Sequence, residues 1–221
     1  MLGAAGAALA GLFGTVLGFA VPLAVVGGLN GFVSGWRRIY RWRSPSGWLA
    51  FVLDSTWALA TTAAALVGHT IAAAQRSPYL SALSARRDRH VYASGLRLRR
   101  GFLATIGNVI NGAGAGTAAT RRIVDEHEHV HVWQARWFGP LFPLLYGGWL
   151  LAGALAGTLA GLTRRRRLGA TVDAWSYYRN PFEWWAYSRE GRWPPPRAAA
   201  AVWRRPLVRA RAAHRAPPAP R

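Results

Sequence analysis

The chain has 221 residues, of which 52% are hydrophobic, and yet its formal net charge is +20. Soluble domains rarely combine these two properties, whereas a membrane protein with basic flanks does so regularly. There is no cysteine, which excludes disulfides, thiolate metal sites and cysteine nucleophiles. The arginines lie beside apolar runs and in a proline-rich tail, so attraction to anionic membrane lipid explains the charge better than nucleic-acid binding does.

Three apolar runs predict membrane helices. Residues 1–35 carry no charge and are long enough to span a bilayer, and without a basic start or a clear cleavage site they indicate an uncleaved span. Residues 47–75 form a second run, for which a helix buried in protein or lying at the interface is the alternative. Residues 141–162 form the third, and four arginines at 164–167 indicate its cytoplasmic end. The runs together predict a multi-pass protein of the plasma membrane.

Between the second and third runs the chain becomes polar and rich in glycine. Residues 90–93 and 96–110 are expected to form short strands, and residues 111–116 a flexible loop. Residues 1–190 are therefore predicted to be a single membrane-embedded domain. Residues 191–221 consist mainly of proline, alanine and arginine, which predicts a disordered basic tail that adheres to anionic lipid.

The segment Glu-His-Glu-His-Val-His at 126–131 contains the pattern H-E-x-x-H. On a helix, His127 and His131 lie one turn apart on the same face, so their imidazole nitrogens can share one metal ion. Glu128 could then accept a proton from water at that metal. We predict a helix over residues 123–137.

The same segment also alternates strictly, as a strand would. In a strand, His127, His129 and His131 would line one face and form a three-imidazole site. The helix is favoured because apolar residues recur at helical spacing between positions 130 and 141, and because Asp125 resembles an N-terminal cap. Both interpretations bind metal through the first and last of these histidines.

Glu183 is the candidate third ligand. A catalytic zinc site uses three protein ligands and keeps one position open. Asn180 can cap a helix over residues 180–190, with Pro181 at its first position. The alternative is that Glu183, at the third position, only completes that cap.

His127-Glu128-x-x-His131, an apolar span and then Glu183-x-x-Ala resemble membrane gluzincin metallopeptidases of the HtpX and CaaX-processing type. The resemblance implies a partial zincin-like fold, zinc bound by the two histidines and Glu183, and Glu128 as general base toward a peptide or protein substrate. Those families usually have Asp where this chain has Tyr187, so the pattern lacks the group that would orient a ligand.

A second resemblance covers about residues 90–190 and implies a family but no activity. Four segments carry it: Thr-Ile-Gly-Asn at 105–108, His-Glu-His-Val-His-Val-Trp-Gln at 127–134, Phe-Gly-Pro-Leu at 138–141 and Asn-Pro-Phe-Glu at 180–183. They are similar to small, uncharacterised bacterial membrane proteins with an H-E-x-x-H helix.

Other candidates rank lower. Asp54 and His69 could serve a proton or ion path, although a single carboxylate in an apolar helix more often pairs locally. Arg121, Arg122 and Arg136 flank the motif and could bind an anionic substrate group, although such arginines are more often lipid-facing anchors.

The sequence therefore predicts a mainly α-helical membrane protein with about three apolar helices, a motif helix and a short β element. Two functions remain open. One is a membrane-bound zinc hydrolase, most readily a peptidase; the other is a non-catalytic membrane protein with a structural or vestigial metal site.

Overall fold

The computed structural model describes residues 2–98, 101–191, 194–195, 203 and 205–208, with side chains in the first helix from Ala20 onward. It is mainly helical with one small sheet, as predicted. The helices are α1 Leu2–Trp36, α2 Pro45–Ser55, α3 Leu59–Ala74, α4 Ser81–Ser84, α5 Ala118–Ile123, α6 His129–Phe138, α7 Leu141–Thr163, α8 Leu168–Asp173 and α9 Pro181–Glu190. The strands are β1 His90–Val91, β2 Ala104–Ile106 and β3 Val109–Asn111, and two π-helical segments are Val124–Glu128 and Ala174–Tyr178.

The chain divides into two compact units. The first unit comprises Met1–Arg121 and Val132–Phe142, and the second comprises Arg122–His131 and Pro143–Arg221. The motif helix, formed by α5, the first π-helical segment and α6 without a break, contributes residues to both. The single domain over residues 1–190 stays a prediction.

In the first unit, α3 packs against the sheet, whose strand order is β1-β3-β2. β1 runs parallel to β3 and β2 runs antiparallel to it, so the predicted short β element is confirmed. The β2–β3 turn approaches α3 so closely that a Cβ at Gly107, whose φ is +54°, would lie 2.4 Å from the Thr61 carbonyl oxygen. Only glycine satisfies both the left-handed backbone and this approach.

The second apolar run does not form one straight helix. It folds into α2 and α3, which meet at a bend of 88°, so by length and composition the pair is a broken span or a re-entrant loop. Asp54, which is 2% exposed, lies one residue before the end of α2. The bend thus occurs beside a buried carboxylate that an uninterrupted apolar span would not accommodate without a partner.

In the second unit, α7 packs closely against the segment that follows it. Gly153, Gly157 and Gly161 are buried at intervals of four residues, and a Cβ at each of the first two would lie within 3 Å of the backbone of residues 172–176. Four-residue spacing puts these glycines on one face of the helix, so their small size lets α8 and the second π-helical segment lie directly on it.

The other faces of α7 are apolar and exposed. This helix has 23 residues, about 34 Å at 1.5 Å per residue, and is long and apolar enough to cross a membrane. The most apolar part of it is only 17% buried, unlike the core helix of a soluble protein. Its exposed large hydrophobic residues are leucines at positions 141, 144, 145, 151, 155, 159 and 162.

Part of the predicted disordered tail contacts α9. Trp203 stacks on Trp184 with 5.2 Å between ring centroids, and its indole nitrogen donates to the Arg179 carbonyl. The Leu207 amide donates to the Ser188 hydroxyl. These contacts are unexpected for a disordered tail; most of residues 191–221 lies outside the described residues.

Candidate metal centre

The motif segment is helical, as predicted, and the strand alternative is wrong. The helix begins at Ala118, seven residues before Asp125, so Asp125 does not cap it. His127 lies in the π-helical segment and His131 in the first turn of α6. Their Nε2 atoms are 3.3 Å apart. The wider π turn therefore still leaves both imidazoles on one face, and such π turns inside α-helices are frequent at functional sites.

Glu183 joins the two histidines from α9. The predicted start of that helix is correct: the Asn180 side chain accepts a hydrogen bond from the Phe182 amide, and Pro181 occupies the first position. The Glu183 carboxylate is directed to the histidines, with Oε2 3.5 Å from His127 Nε2 and Oε1 3.4 Å from His131 Nε2. The alternative that Glu183 only completes the helix cap is therefore not what the structure shows.

These three side chains could hold a metal ion. Their candidate ligand atoms all lie within 4.8 Å of one another, and all three residues are buried. The two Nε2 atoms are 3.3 Å apart, and each lies close to a different oxygen of the Glu183 carboxylate, His127 at 3.5 Å from Oε2 and His131 at 3.4 Å from Oε1. Imidazole nitrogens and carboxylate oxygens are ligands that zinc binds at about 2.0–2.2 Å. Buried Glu183 Oε2 accepts no hydrogen bond. The donor set thus fits a cation that takes two nitrogens and one oxygen.

The same proximity governs how these groups ionise without a metal. Burial by itself would lower the pKa of His127, but its contacts with Glu183 and Glu190 raise that pKa to about 10. Burial opposes ionisation of His131 as well, and the Glu183 charge again raises the pKa above its ordinary value. Burial would raise the pKa of Glu183, but His131 and His127 lower it well below its usual range. A proton therefore occupies this cluster at neutral pH and must leave when a cation binds.

Glu128, the predicted base, is 6% exposed and follows His127 directly. Its charge contributes to the raised pKa of both His127 and His131. His129, which only the strand alternative made a ligand, is not among the clustered donors. The structure thus brings together the three predicted metal ligands, and the catalytic role of Glu128 stays a prediction.

Two supporting residues were not predicted. The Tyr146 hydroxyl donates to Glu183 Oε1 at 2.7 Å, and Glu190 Oε2 lies 3.3 Å from His127 Nδ1. Tyr187, where the resembling families have Asp, packs its ring edge-on against His127 at 4.4 Å between centroids. Tyr146 lies in an apolar run and gave no sequence signal, whereas Glu190 lies seven residues after Glu183, a spacing that puts both on one helix face.

The arginines near the motif divide into different roles. Arg122 donates to Glu126 Oε2 and to the Glu190 carbonyl, each at 3.0 Å. Arg121 donates to the Gly116 carbonyl at 2.9 Å. Arg136 is 1% exposed in the first unit, so it is neither a lipid-facing anchor nor accessible to a substrate.

Arg136 belongs to a buried polar network in the first unit. Its Nε and Nη2 donate to the two carboxylate oxygens of Asp54, each at 2.8 Å, and Nη2 also donates to the Asp88 carbonyl. Asp54 Oδ2 further accepts from Tyr40 and Asn108. Asp54 is therefore paired, as the sequence indicated, but its partners are distant in the chain and not local. His69, the other candidate for an ion path, lies 2.8 Å from the Tyr92 hydroxyl through Nδ1.

Comparisons with protein-family models, curated proteins and solved structures found no match to this chain.

Proposed function

We propose that this chain is a membrane-bound zinc metallohydrolase that cleaves peptide bonds. The observation that carries the proposal is the convergence of the buried residues His127, His131 and Glu183, and Glu128, which follows His127 directly in the chain, is buried as well. Two imidazoles, one carboxylate and an adjacent second carboxylate are the side chains that zinc hydrolases of the H-E-x-x-H type require. The peptide substrate rests on the resemblance to membrane gluzincins.

The chain's own residues would divide the work as follows. Zinc, when bound, supplies a Lewis acid that polarises a carbonyl and makes water more acidic. Glu128 would accept the proton of the attacking water and deliver it to the leaving amine. Tyr146 would hold Glu183 through the 2.7 Å hydrogen bond, so that the carboxylate keeps one orientation.

Placement in a membrane is part of the proposal. α7 supports it, because this helix is long, apolar and largely exposed, and exposed arginines at 164–167 follow its end. Arginines at the end of an apolar helix pair with anionic lipid and favour the cytoplasmic side. The bent pair α2–α3 and α1 would supply further membrane segments of a multi-pass protein in the plasma membrane.

The test separates metal binding from catalysis. We expect purified full-length protein to carry about one zinc per chain by elemental analysis, and Glu183→Ala to lose most of it, because two histidines alone bind zinc weakly. Glu128→Gln should keep the zinc and lose at least about 100-fold in hydrolysis of a quenched peptide library, the usual contribution of a general base.

Glu126→Gln is the matched control, because Glu126 is a neighbouring carboxylate whose side chain pairs with Arg122 instead of a histidine. It should leave zinc content and hydrolysis unchanged. Zinc-free wild-type protein, or equal zinc in the wild type and in Glu183→Ala, would contradict the metal site.

A structural metal site is the second candidate, and burial favours it. His127, His131 and Glu183 are 4%, 7% and 2% exposed, whereas a catalytic site needs an open position for water and substrate. The same Glu128→Gln variant distinguishes the two. If it retains zinc and supports the cellular role of the protein as well as wild type does, the site is structural.

A further inference from the structure

Glu190 belongs to neither the H-E-x-x-H pattern nor the Glu183 segment, yet it reaches the candidate metal centre. It is the last residue of α9 and is 4% exposed. Its Oε2 lies 3.3 Å from Nδ1 of His127. His127 is consequently placed between two buried carboxylates of one helix, Glu183 at Nε2 and Glu190 at Nδ1.

This arrangement determines which nitrogen of His127 is available to a cation. A carboxylate 3.3 Å from Nδ1 attracts the proton to that nitrogen by its charge, which leaves the lone pair on Nε2. Nε2 is the nitrogen that faces His131 and Glu183. A carboxylate partner also makes the imidazole a stronger donor to a metal.

The local backbone holds Glu190 in place. Gly191 caps α9 in the left-handed conformation, with φ at 74°. The Arg122 guanidinium, at the beginning of the second unit's part of the motif helix, donates to the Glu190 carbonyl at 3.0 Å. The Tyr187 ring packs edge-on against the His127 ring. Glu190 is therefore fixed by a helix cap and by a hydrogen bond to the helix that carries His127.

We infer that Glu190 is a positioning residue that orients His127 for metal binding. Tyr187 has no carboxylate for this role, although the families that the chain resembles usually have Asp at that place. The inference rests on the proposed metal centre. It assigns Glu190 no contact with substrate and no place among the ligands themselves.

The experiment compares Glu190→Gln and Glu190→Ala with wild type in the full-length protein. Zinc affinity is measured by competition with a chelator, and the coordination geometry by the visible absorption spectrum of the cobalt-loaded protein. Glu190→Ala should bind zinc about 10- to 100-fold more weakly and shift the cobalt spectrum, since loss of an orienting partner has that effect on other metal sites. Glu190→Gln keeps an oxygen acceptor without the charge, so its zinc affinity should lie between those of wild type and Glu190→Ala.

Asp173→Asn serves as the control here, because Asp173 is an acidic residue of α8 in the same unit, whereas Glu126 pairs with the arginine that holds Glu190; it should match wild type in both measurements. If Glu190→Gln and Glu190→Ala both bind zinc and absorb as wild type does, the inference is overturned while the metal centre stands. If wild type binds no metal, the proposed function and the inference fail together. Should Glu190→Ala fold poorly by circular dichroism, Glu190→Gln decides alone: unchanged affinity and spectrum overturn the inference, and weaker binding supports it.

Discussion

At the scale of single residues, the candidate site shows how four ionisable side chains can be buried together. Each carboxylate of α9 faces an imidazole, so the charges in this cluster are opposed by neighbours instead of by water. Without such partners, burial would neutralise these groups through shifts of their pKa. The same arrangement that stabilises a proton among these histidines can hold a divalent cation in place of that proton.

The raised pKa of His127 predicts an unusual pH dependence of metal binding. An ordinary histidine has a pKa near 6.5, so zinc affinity would level off above neutral pH; with a pKa of about 10, the proton still has to be displaced. We expect zinc affinity to rise about tenfold per pH unit from pH 7 to pH 9 for each proton released. Chelator competition at several pH values, corrected for the chelator's own titration, measures it.

The metal-free protein should show the opposite trend in stability. A histidine whose pKa is raised in the folded state adds stability that is complete below the unfolded-state pKa of about 6.5 and is lost as the pH rises through the folded-state value of about 10. The metal-free protein should thus become less stable between these limits while the zinc-induced rise in Tm grows. A zinc affinity that is flat above pH 7 would contradict the paired cluster.

At the scale of elements, the glycines of α7 determine how closely the second unit packs. Gly157→Ala would bring a Cβ within 2.8 Å of Val172 Cα, a contact that only a backbone shift can relieve. We expect a loss of about 1–3 kcal/mol in the free energy of unfolding, the usual cost of overpacking. Thermal or denaturant unfolding of the purified protein measures this change.

Gly148→Ala is the matched control on the same helix, because a Cβ there meets nothing within 4 Å. Alanine is the better helix former by about 1 kcal/mol, so this variant should be neutral or slightly stabilised. Equal stability of the two variants would show that the α7 face does not pack against residues 168–178 as described.

The sequence predicted the parts of the site that depend on local spacing. His127 and His131 follow from the period of a helix, and the Asn180-Pro-Phe-Glu183 segment follows from the chemistry of a helix start. Tyr146 and Glu190 could not be predicted as partners, because their roles depend on how α7 and α9 pack around the motif helix within the second unit.

The buried polar network of the first unit could not be predicted either, because it too depends on contacts between residues that are distant in the chain. Asp54 and Arg136 form a two-pronged ion pair although they are 82 residues apart in the chain. No local pattern encodes such a pairing, so the sequence predicted an ion path or a local partner for Asp54. For Arg136 it predicted an anionic substrate group or lipid. The bend between α2 and α3 is equally non-local, because the apolar run itself contains no helix-breaking proline.

At the scale of the whole molecule, the proposed membrane placement can be tested with the chain's own composition. The protein has no cysteine, so a single introduced thiol reports one position without background. Pro140 and Arg166 flank α7 and are both exposed. Because α7 is about 34 Å long against a hydrocarbon core of about 30 Å, a spanning helix would put these two positions on opposite sides.

We expect Pro140→Cys to react with a membrane-impermeant maleimide in intact cells, and Arg166→Cys to react only after permeabilisation, because arginine-rich flanks favour the cytoplasmic side. That result would place the beginning of α7, including Tyr146 of the candidate metal centre, toward the outer side. Reaction of both positions in intact cells would contradict a spanning α7. Reversed reactivity would still indicate a spanning α7, but with its beginning on the cytoplasmic side. The substrate of the candidate metal centre would then also be on the cytoplasmic side.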